Sequence, residues 1–493
     1  MISSKQLDSP YRSISIANLT KHSLASPLEI RLQCGEAAVT ICFHTTHNPQ
    51  NTKSGLQWRR IVSGFIFPCL SGTMNVWARV GIAGAVTGAA LYWHQSRATP
   101  AAAAPKTRDP DQYELKLVQA LFRHGARTPL KSIPGVPEAE WLPGLLAVPP
   151  HTRFDCRVCD LSGGPTPPSP VEDSYRARTL AGGVFPGQLT TLGMQQLYDL
   201  GKRMRETYIE KLHFLSPAFT PAEVYVRSTN IIRTIESARC LLAGLFQQKQ
   251  KGPANIFTSE AEVEILYPNI HGCKLLYLLG KSRWEESFLL PEIADDLKKV
   301  QSALGIAGHK GVDFVLIRDD MVARETHGLP GPAELQSWKD TVEQRAVEMI
   351  NFAYQGSGRE VLQVSVGPLL HTLVNNIEEK LQGEASSGES RKMYLYSVHD
   401  TTLMPCLIAL GIFDWKWPPY GADITVELYE HRTTKEDFVK VSYIGQAQLI
   451  RGCSDIYCPL KEFKKALSSY TLELVGYRAL CNKTEIIFVR NPH

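Results

Sequence analysis

Glu114-Leu-Lys-Leu-Val-Gln-Ala-Leu-Phe122 runs directly into Arg123-His-Gly-Ala-Arg-Thr-Pro129. A short, densely apolar run that stops at a glycine predicts a buried strand. Two later segments repeat the arrangement. Glu223-Val-Tyr-Val-Arg-Ser228 leads into Thr229, and Lys392-Met-Tyr-Leu-Tyr-Ser397 ends at His399-Asp-Thr-Thr402. Apolar residues at helical spacing lie between them: Leu192, Leu197, Leu200 and Met204 across Thr191–Tyr208, and a second helix from Ile231 to Phe246. A third helix is expected to start at Pro368, where a missing amide costs nothing, with Leu369, Leu370, Leu373, Val374 and Ile377 as its apolar face. Strands alternating with helices predict an α/β fold with a largely parallel sheet, closed by Asp423–Tyr429 and Phe438–Tyr443.

In open α/β sheets, ligands bind beyond the carboxyl ends of the strands. Arg123, His124 and Arg127 from the first strand, Arg227 from the second, and His399 and Asp400 from the third should therefore face one crevice. Arginines and histidines around one point suit a tetrahedral dianion, because the guanidinium fork matches phosphate oxygens bidentately. A histidine among arginines is disfavoured as a cation, which preserves its nucleophilic form. Gly125 is expected to let the backbone approach the ligand without a Cβ in the way. Asp400 can deliver a proton to a leaving alkoxide. Its ordinary value of about 3.9 must then be raised by burial or by the charge of the phosphate. No P-loop, Gly-x-Ser-x-Gly elbow or metal-ligand cluster is present, which leaves NTPase, serine-esterase and metallohydrolase chemistry without support. Cys156-Arg-Val-Cys159 has no second Cys/His pair at ligand spacing and reads as a pair of loop thiols.

The Arg-His-Gly-Ala-Arg-Thr-Pro stretch, the later Arg-Ser-Thr and the His-Asp-Thr-Thr resemble the histidine acid phosphatases. Gln188-Leu-Thr-Thr-Leu-Gly193, Gly367-Pro-Leu-Leu370 and Gly452-Cys-Ser-Asp-Ile-Tyr-Cys-Pro-Leu460 add to the likeness, which spans about residues 112–490. Ser228-Thr-Asn-Ile-Ile-Arg233, Cys240-Leu-Leu-Ala-Gly-Leu-Phe246 and Gly411-Ile-Phe-Asp-Trp-Lys-Trp-Pro-Pro419 resemble the members that act on lysophosphatidic acid. The resemblance implies a phosphoglycerate-mutase-like fold: a mixed, mostly parallel sheet flanked by helices, with an inserted α-helical cap. It implies His124 as nucleophile through a phosphohistidine, Asp400 as proton donor, Arg123, Arg127, Arg227 and His399 as phosphate-binding residues, and no metal or other cofactor. The reaction implied is hydrolysis of lysophosphatidic acid to monoacylglycerol and phosphate. A broad acid phosphatase on soluble esters and an inactive phosphate- or lipid-binding homologue are the alternatives. Secreted members often carry a cysteine just after Pro-Pro-Tyr, and Pro418-Pro-Tyr-Gly-Ala-Asp423 has none; a Cys453–Cys458 bridge is still expected.

The parsing that follows is 1–73 as an unstructured upstream extension, 74–111 as targeting segment and linker, 112–258 and 361–493 as the two parts of the phosphatase core, and 259–360 as the helical cap. Residues 129–187, rich in Pro and Gly, form a long loop of the kind that lines a binding site. Trp415, Trp417 and Tyr420 either line an acyl groove there or belong to the core. Residues 37–108 contain no Asp or Glu but carry Lys53, Arg59, Arg60, Arg79, Arg97, Lys106 and Arg108. The whole chain has a net charge of +4, and residues 1–108 alone carry +8, so the body is weakly acidic and nucleic-acid binding through bulk charge is disfavoured. Val80–Trp93, after Met74-Asn-Val-Trp-Ala-Arg79, is shorter than the ~20 residues of a membrane-spanning helix. An acid-free segment with scattered arginines favours mitochondrial targeting over a secretory signal or a single anchor, with Met74 as the expected start. The sequon Asn482-Lys-Thr484 points towards secretion. The expected partners are a phosphomonoester substrate and, through the N-terminal segment, a nearby membrane; the protein is expected to be a monomer.

Overall fold

A computed structural model describes residues 28–34, 37–43, 110–355, 359–383 and 391–483. The extension contributes a unit of its own, in which β1 (Leu28–Cys34) pairs antiparallel with β2 (Ala37–Phe43), Ile30 opposite Ile41. The expectation that residues 1–73 lack structure therefore does not hold at this hairpin, whose first strand alternates apolar and polar residues with the period of a strand. Of the expected targeting segment and linker at 74–111, residues 74–109 lie outside the described residues.

In the second unit a nine-stranded sheet is built from β3 (Tyr113–Arg123), β4 (Cys156–Cys159), β5 (Val224–Ser228), β6 (Ala254–Phe257), β7 (Met393–Val398), β8 (Asp423–His431), β9 (Asp437–Tyr443), β10 (Gln446–Gln448) and β11 (Cys458–Pro459). Its order is β10-β9-β8-β3-β7-β5-β6-β4, with β11 added on β9. Strands β3, β7, β5, β6 and β4 are mutually parallel, and β8 to β10 complete one edge as an antiparallel run. The sheet is thus mixed and mostly parallel. Cys156 and Cys159 are free thiols, but they stand in edge strand β4 and not in a loop. The short alternation Cys-Arg-Val-Cys suffices for a strand once β6 offers its edge.

Flanking helices bury both faces. On one side α1 (Pro170–Arg176), α2 (Thr191–Arg205) and α3 (Ile232–Phe246) follow the early strands, and Leu197, Leu241 and Leu245 pack on Val118, Ala120 and Phe122 of β3. The inserted helices α4 (Lys274–Ser287), α5 (Pro291–Ala303), α6 (Phe314–Thr326) and α7 (Lys339–Gln355) share an apolar cluster that takes in Ile133 and Val136 from the long loop and Trp417 from beyond β7. On the other face α8 (Arg359–Gln382) and α9 (Asp400–Leu410) cover Leu117 and Leu121. Pro368 lies inside α8 and does not start it. The helix continues because Val361, Val364 and Val366 upstream also find apolar partners to bury against. Two short helices, α10 (Leu460–Leu467) and α11 (Leu474–Cys481), end the described chain. The Cys453–Cys458 bridge is present, and a second one joins Cys273, at the start of α4, to Cys481 at the end of α11.

Candidate active site

Neighbouring strands β3, β7 and β5 end in register, with Arg123 opposite Val398 and Ser228 opposite Ser397. Their next residues, His124, His399 and Thr229, therefore meet at one edge of the sheet. His124 is 1% exposed, and its Nδ1 lies 2.9 Å from the carbonyl oxygen of Gly125. A carbonyl only accepts, so Nδ1 carries the proton and Nε2 presents its lone pair. Burial first, then the charges of Arg233, Arg123 and Arg127, hold the imidazole well below its ordinary range and keep it neutral. The ring of His399 sits edge-on at 5.5 Å between centroids, with its Nε2 3.0 Å from Oγ1 of Thr229, and burial and Arg233 hold it neutral too.

The turn that carries His124 is clamped against α2. A Cβ on Gly125 would stand 2.2 Å from the carbonyl oxygen of Gly193, and one on Gly193 would stand 2.1 Å from that of Ala126. Gly125 thus serves a backbone-to-backbone approach with a helix and not, as its place in the motif suggests, the approach of a ligand. Hydrogen bonds from the amide of Gly125 to Oγ of Ser237 (3.2 Å) and from that of Ala126 to Oε1 of Gln196 (2.8 Å) complete the clamp.

The arginines divide into two kinds. Arg123 and Arg127 are buried, and each is engaged by a carboxylate: Nη2 of Arg123 is 2.6 Å from Oδ2 of Asp400, and Nη2 of Arg127 is 2.7 Å from Oδ1 of Asp319 on α6. Arg227 is held by buried Glu264 at 2.9 Å, and it is not among the main charges acting on either histidine. Arg233, six residues on and in the first turn of α3, acts on both. It is 5% exposed, and its Nε and Nη1 have no hydrogen-bond partner among the described residues. Sequence reasoning picked the strand-terminal arginine and missed this one. A buried guanidinium with unspent donors at a helix N-terminus is suited to an anion.

Asp400, the first residue of α9, accepts from Arg123 and from Nε1 of Trp417 (2.9 Å) at Oδ2, and from the amide of Thr401 (2.8 Å) at Oδ1. Burial would raise its pKa, but Arg123, Arg127 and the Trp417 bond outweigh burial and hold the carboxyl well below the usual carboxylate range. Burial alone therefore does not supply the rise expected from the sequence, and only the charge of an incoming phosphate is left to do so. Of the three aromatic residues, Trp417 belongs to the core. Trp417 is tied to Asp400, Tyr420 lies under Arg123 at 4.3 Å, and Trp415 is 56% exposed.

A family profile described as "Histidine phosphatase superfamily (branch 2)" matches residues 114–293 and 325–444. The chain is 46% identical to lysophosphatidic acid phosphatase type 6 of Mus musculus over 84% of its own length and 99% of that protein's. It is 45% identical to the Homo sapiens protein of the same name, over 85% and 98%. Among solved structures, a Hafnia alvei phytase in complex with myo-inositol hexakis sulphate superposes with a TM-score of 0.53 at 16% identity, over 76% of this chain and 99% of that one, a likeness of fold.

Proposed function

The chain belongs to branch 2 of the histidine phosphatase superfamily, and from that premise we propose that it hydrolyses a phosphate monoester through a phosphohistidine on His124. Nε2 of His124 attacks phosphorus while the bond to the ester oxygen breaks, and the proton on the Asp400 carboxyl passes to that oxygen. Water then attacks phosphorus, Asp400 takes back a proton, and the P–N bond breaks to release phosphate. Arg123, Arg127 and Arg233 hold the phosphoryl oxygens, and His399 adds an N–H. Arg227 keeps its structural pairing with Glu264. As phosphate draws Arg123 away from Asp400, the carboxyl loses the charge that kept it ionised, so the dianion itself readies the acid.

The observation that carries this reading is the Nδ1 bond of His124, which fixes the tautomer and leaves Nε2 free amid three guanidiniums. Brief mixing with 32P-labelled ester and acid-free quenching should leave label on His124. His124→Ala should leave none and abolish turnover of every ester; label on another side chain would overturn the mechanism. The substrate we propose is lysophosphatidic acid, on the strength of the two relatives of that name. A panel of lysophosphatidic acids of increasing chain length against water-soluble phosphates tests it, since each buried CH₂ contributes about 0.8 kcal/mol. Indifference to the acyl chain would favour soluble esters.

We also propose delivery to mitochondria, supported by the acid-free run 37–108. The two disulfides require a compartment that sustains them, which favours the secretory pathway as a second reading. Imaging of the full chain tagged at its C-terminus decides between them: overlap with a mitochondrial marker supports the first, overlap with a secretory marker the second.

A further inference from the structure

Trp417-Pro-Pro-Tyr420 takes no part in the steps above, yet it touches the machinery at three points. A residue before proline is confined to extended backbone. From that pose the carbonyl of Pro418 accepts from Nη1 of Arg123 at 2.6 Å, the ring of Tyr420 underlies the same guanidinium, and the indole of Trp417 donates to Oδ2 of Asp400. Across the indole lies Arg318 of α6, 4.4 Å from the ring, and Arg318 is gripped by Glu343 of α7 through Nε–Oε2 (2.6 Å) and Nη2–Oε1 (3.2 Å). The contacts Glu343–Arg318–Trp417–Asp400 form one continuous line from the inserted helices to the first residue of α9, buried from Arg318 inward.

An indole N–H can only donate, so it bonds the ionised carboxylate in preference to the neutral acid. A cation over the ring face draws on its π-electrons and makes that N–H a better donor. The other groups facing Asp400 are Arg123, Arg127, His399, Tyr354 (whose hydroxyl donates to the carbonyl of Thr401) and Tyr420. The two arginines are those an incoming phosphoryl group would neutralise. Trp417 is uncharged and is not.

We infer that Trp417 is a positioning residue for the proton donor: its N–H fixes the orientation of the Asp400 carboxyl and sets the pH above which protonation of the leaving group fails, with Arg318 and Glu343 tying that setting to the inserted helices. The inference rests on the reading of Asp400 as proton donor, and the test separates the two.

The measurement is the single-turnover release of alcohol from saturating hexyl phosphate across pH, with p-nitrophenyl phosphate in parallel. In the native enzyme the hexyl phosphate rate falls as pH rises through the pKa of Asp400 in the complex. Trp417→Phe removes a donor to the carboxylate, so this fall should move up by about one pH unit, while the p-nitrophenyl phosphate rate changes little. Arg318→Gln should move the fall in the same direction by less. The benzothiophene analogue of tryptophan at position 417 keeps the shape and lacks the N–H, and it should reproduce the shift if Trp417→Phe does not fold. Asp400→Asn is the control. If Asp400→Asn slows both esters equally, the donor assignment itself fails. If it slows hexyl phosphate selectively, yet the fall stays at its native pH in the analogue and in Trp417→Phe, this inference is overturned.

Discussion

At the residue scale, on the proposed function, the site is a balance between cations that attract a dianion and carboxylates that hold those cations until it arrives. Arg227 and Arg233 test the two roles. Arg233→Ala removes unspent donors and should cut kcat/KM by about 10²–10³-fold at unchanged melting temperature, in keeping with the loss of a charged transition-state contact. Arg227→Ala strands buried Glu264 and should cost about 3–5 kcal/mol of stability, read by denaturant titration, as for any broken buried pair. Asp400→Asn should slow alkyl phosphates far more than p-nitrophenyl phosphate, whose leaving group needs little protonation. The pH dependence of stability follows from depressed values. His124 and His399 stay neutral when folded but ionise near 6.5 when unfolded, and Asp400 is likewise lowered. The unfolded chain therefore binds more protons, and stability falls as pH drops from 7 through the unfolded histidine value and then the carboxylate range. Thermal melts between pH 7 and 5 should show the decline, and less of it in His124→Asn. Arg123, His124, His399 and Asp400 were legible because each sits at a strand end, and Arg127 because it belongs to the same short motif as His124. Arg233 was quoted within its motif but passed over, since the strand-end rule stops one helical turn short of it. Asp319 and Arg318 carried no local signal, because they arrive on a distant helix, Asp319 lying 192 residues beyond Arg127.

At the scale of elements, the α2 contact with the 124–126 turn decides where His124 stands. Replacing a helical glycine by alanine ordinarily stabilises by about 1 kcal/mol. Gly193→Ala should do the reverse, because its Cβ would meet the backbone oxygen of Ala126 at 2.1 Å. A loss of about 1–3 kcal/mol by denaturant titration is expected, together with reduced turnover as the turn is displaced. The strands β3, β5 and β7 and the helices α2 and α3 lie within a few residues of where periodicity puts them. Pro368 misled for a physical reason. A proline rule that assumes solvent at the preceding turn fails when that turn has apolar surface to bury. The strand at Cys156–Cys159 escaped notice because four residues carry little periodicity and only the neighbouring edge of β6 orders them.

At the scale of the molecule, the fold class was readable from alternation alone, whereas the long-range covalent pairing was not. Cys453 and Cys458 are five apart and pair locally, but nothing near Cys273 in the sequence names Cys481, 208 residues on. Cys481→Ser should destabilise the protein by about 2–5 kcal/mol, measured by denaturant titration with and without reductant. The same span has a consequence for biogenesis. The cysteine that opens α4 leaves the ribosome long before its mate exists, so its pairing with Cys481 must await translation past that residue. A nascent chain halted before residue 481 would hold Cys273 without its partner, open to alkylation in pulse-labelled intermediates and closed to it once Cys481 has emerged and paired.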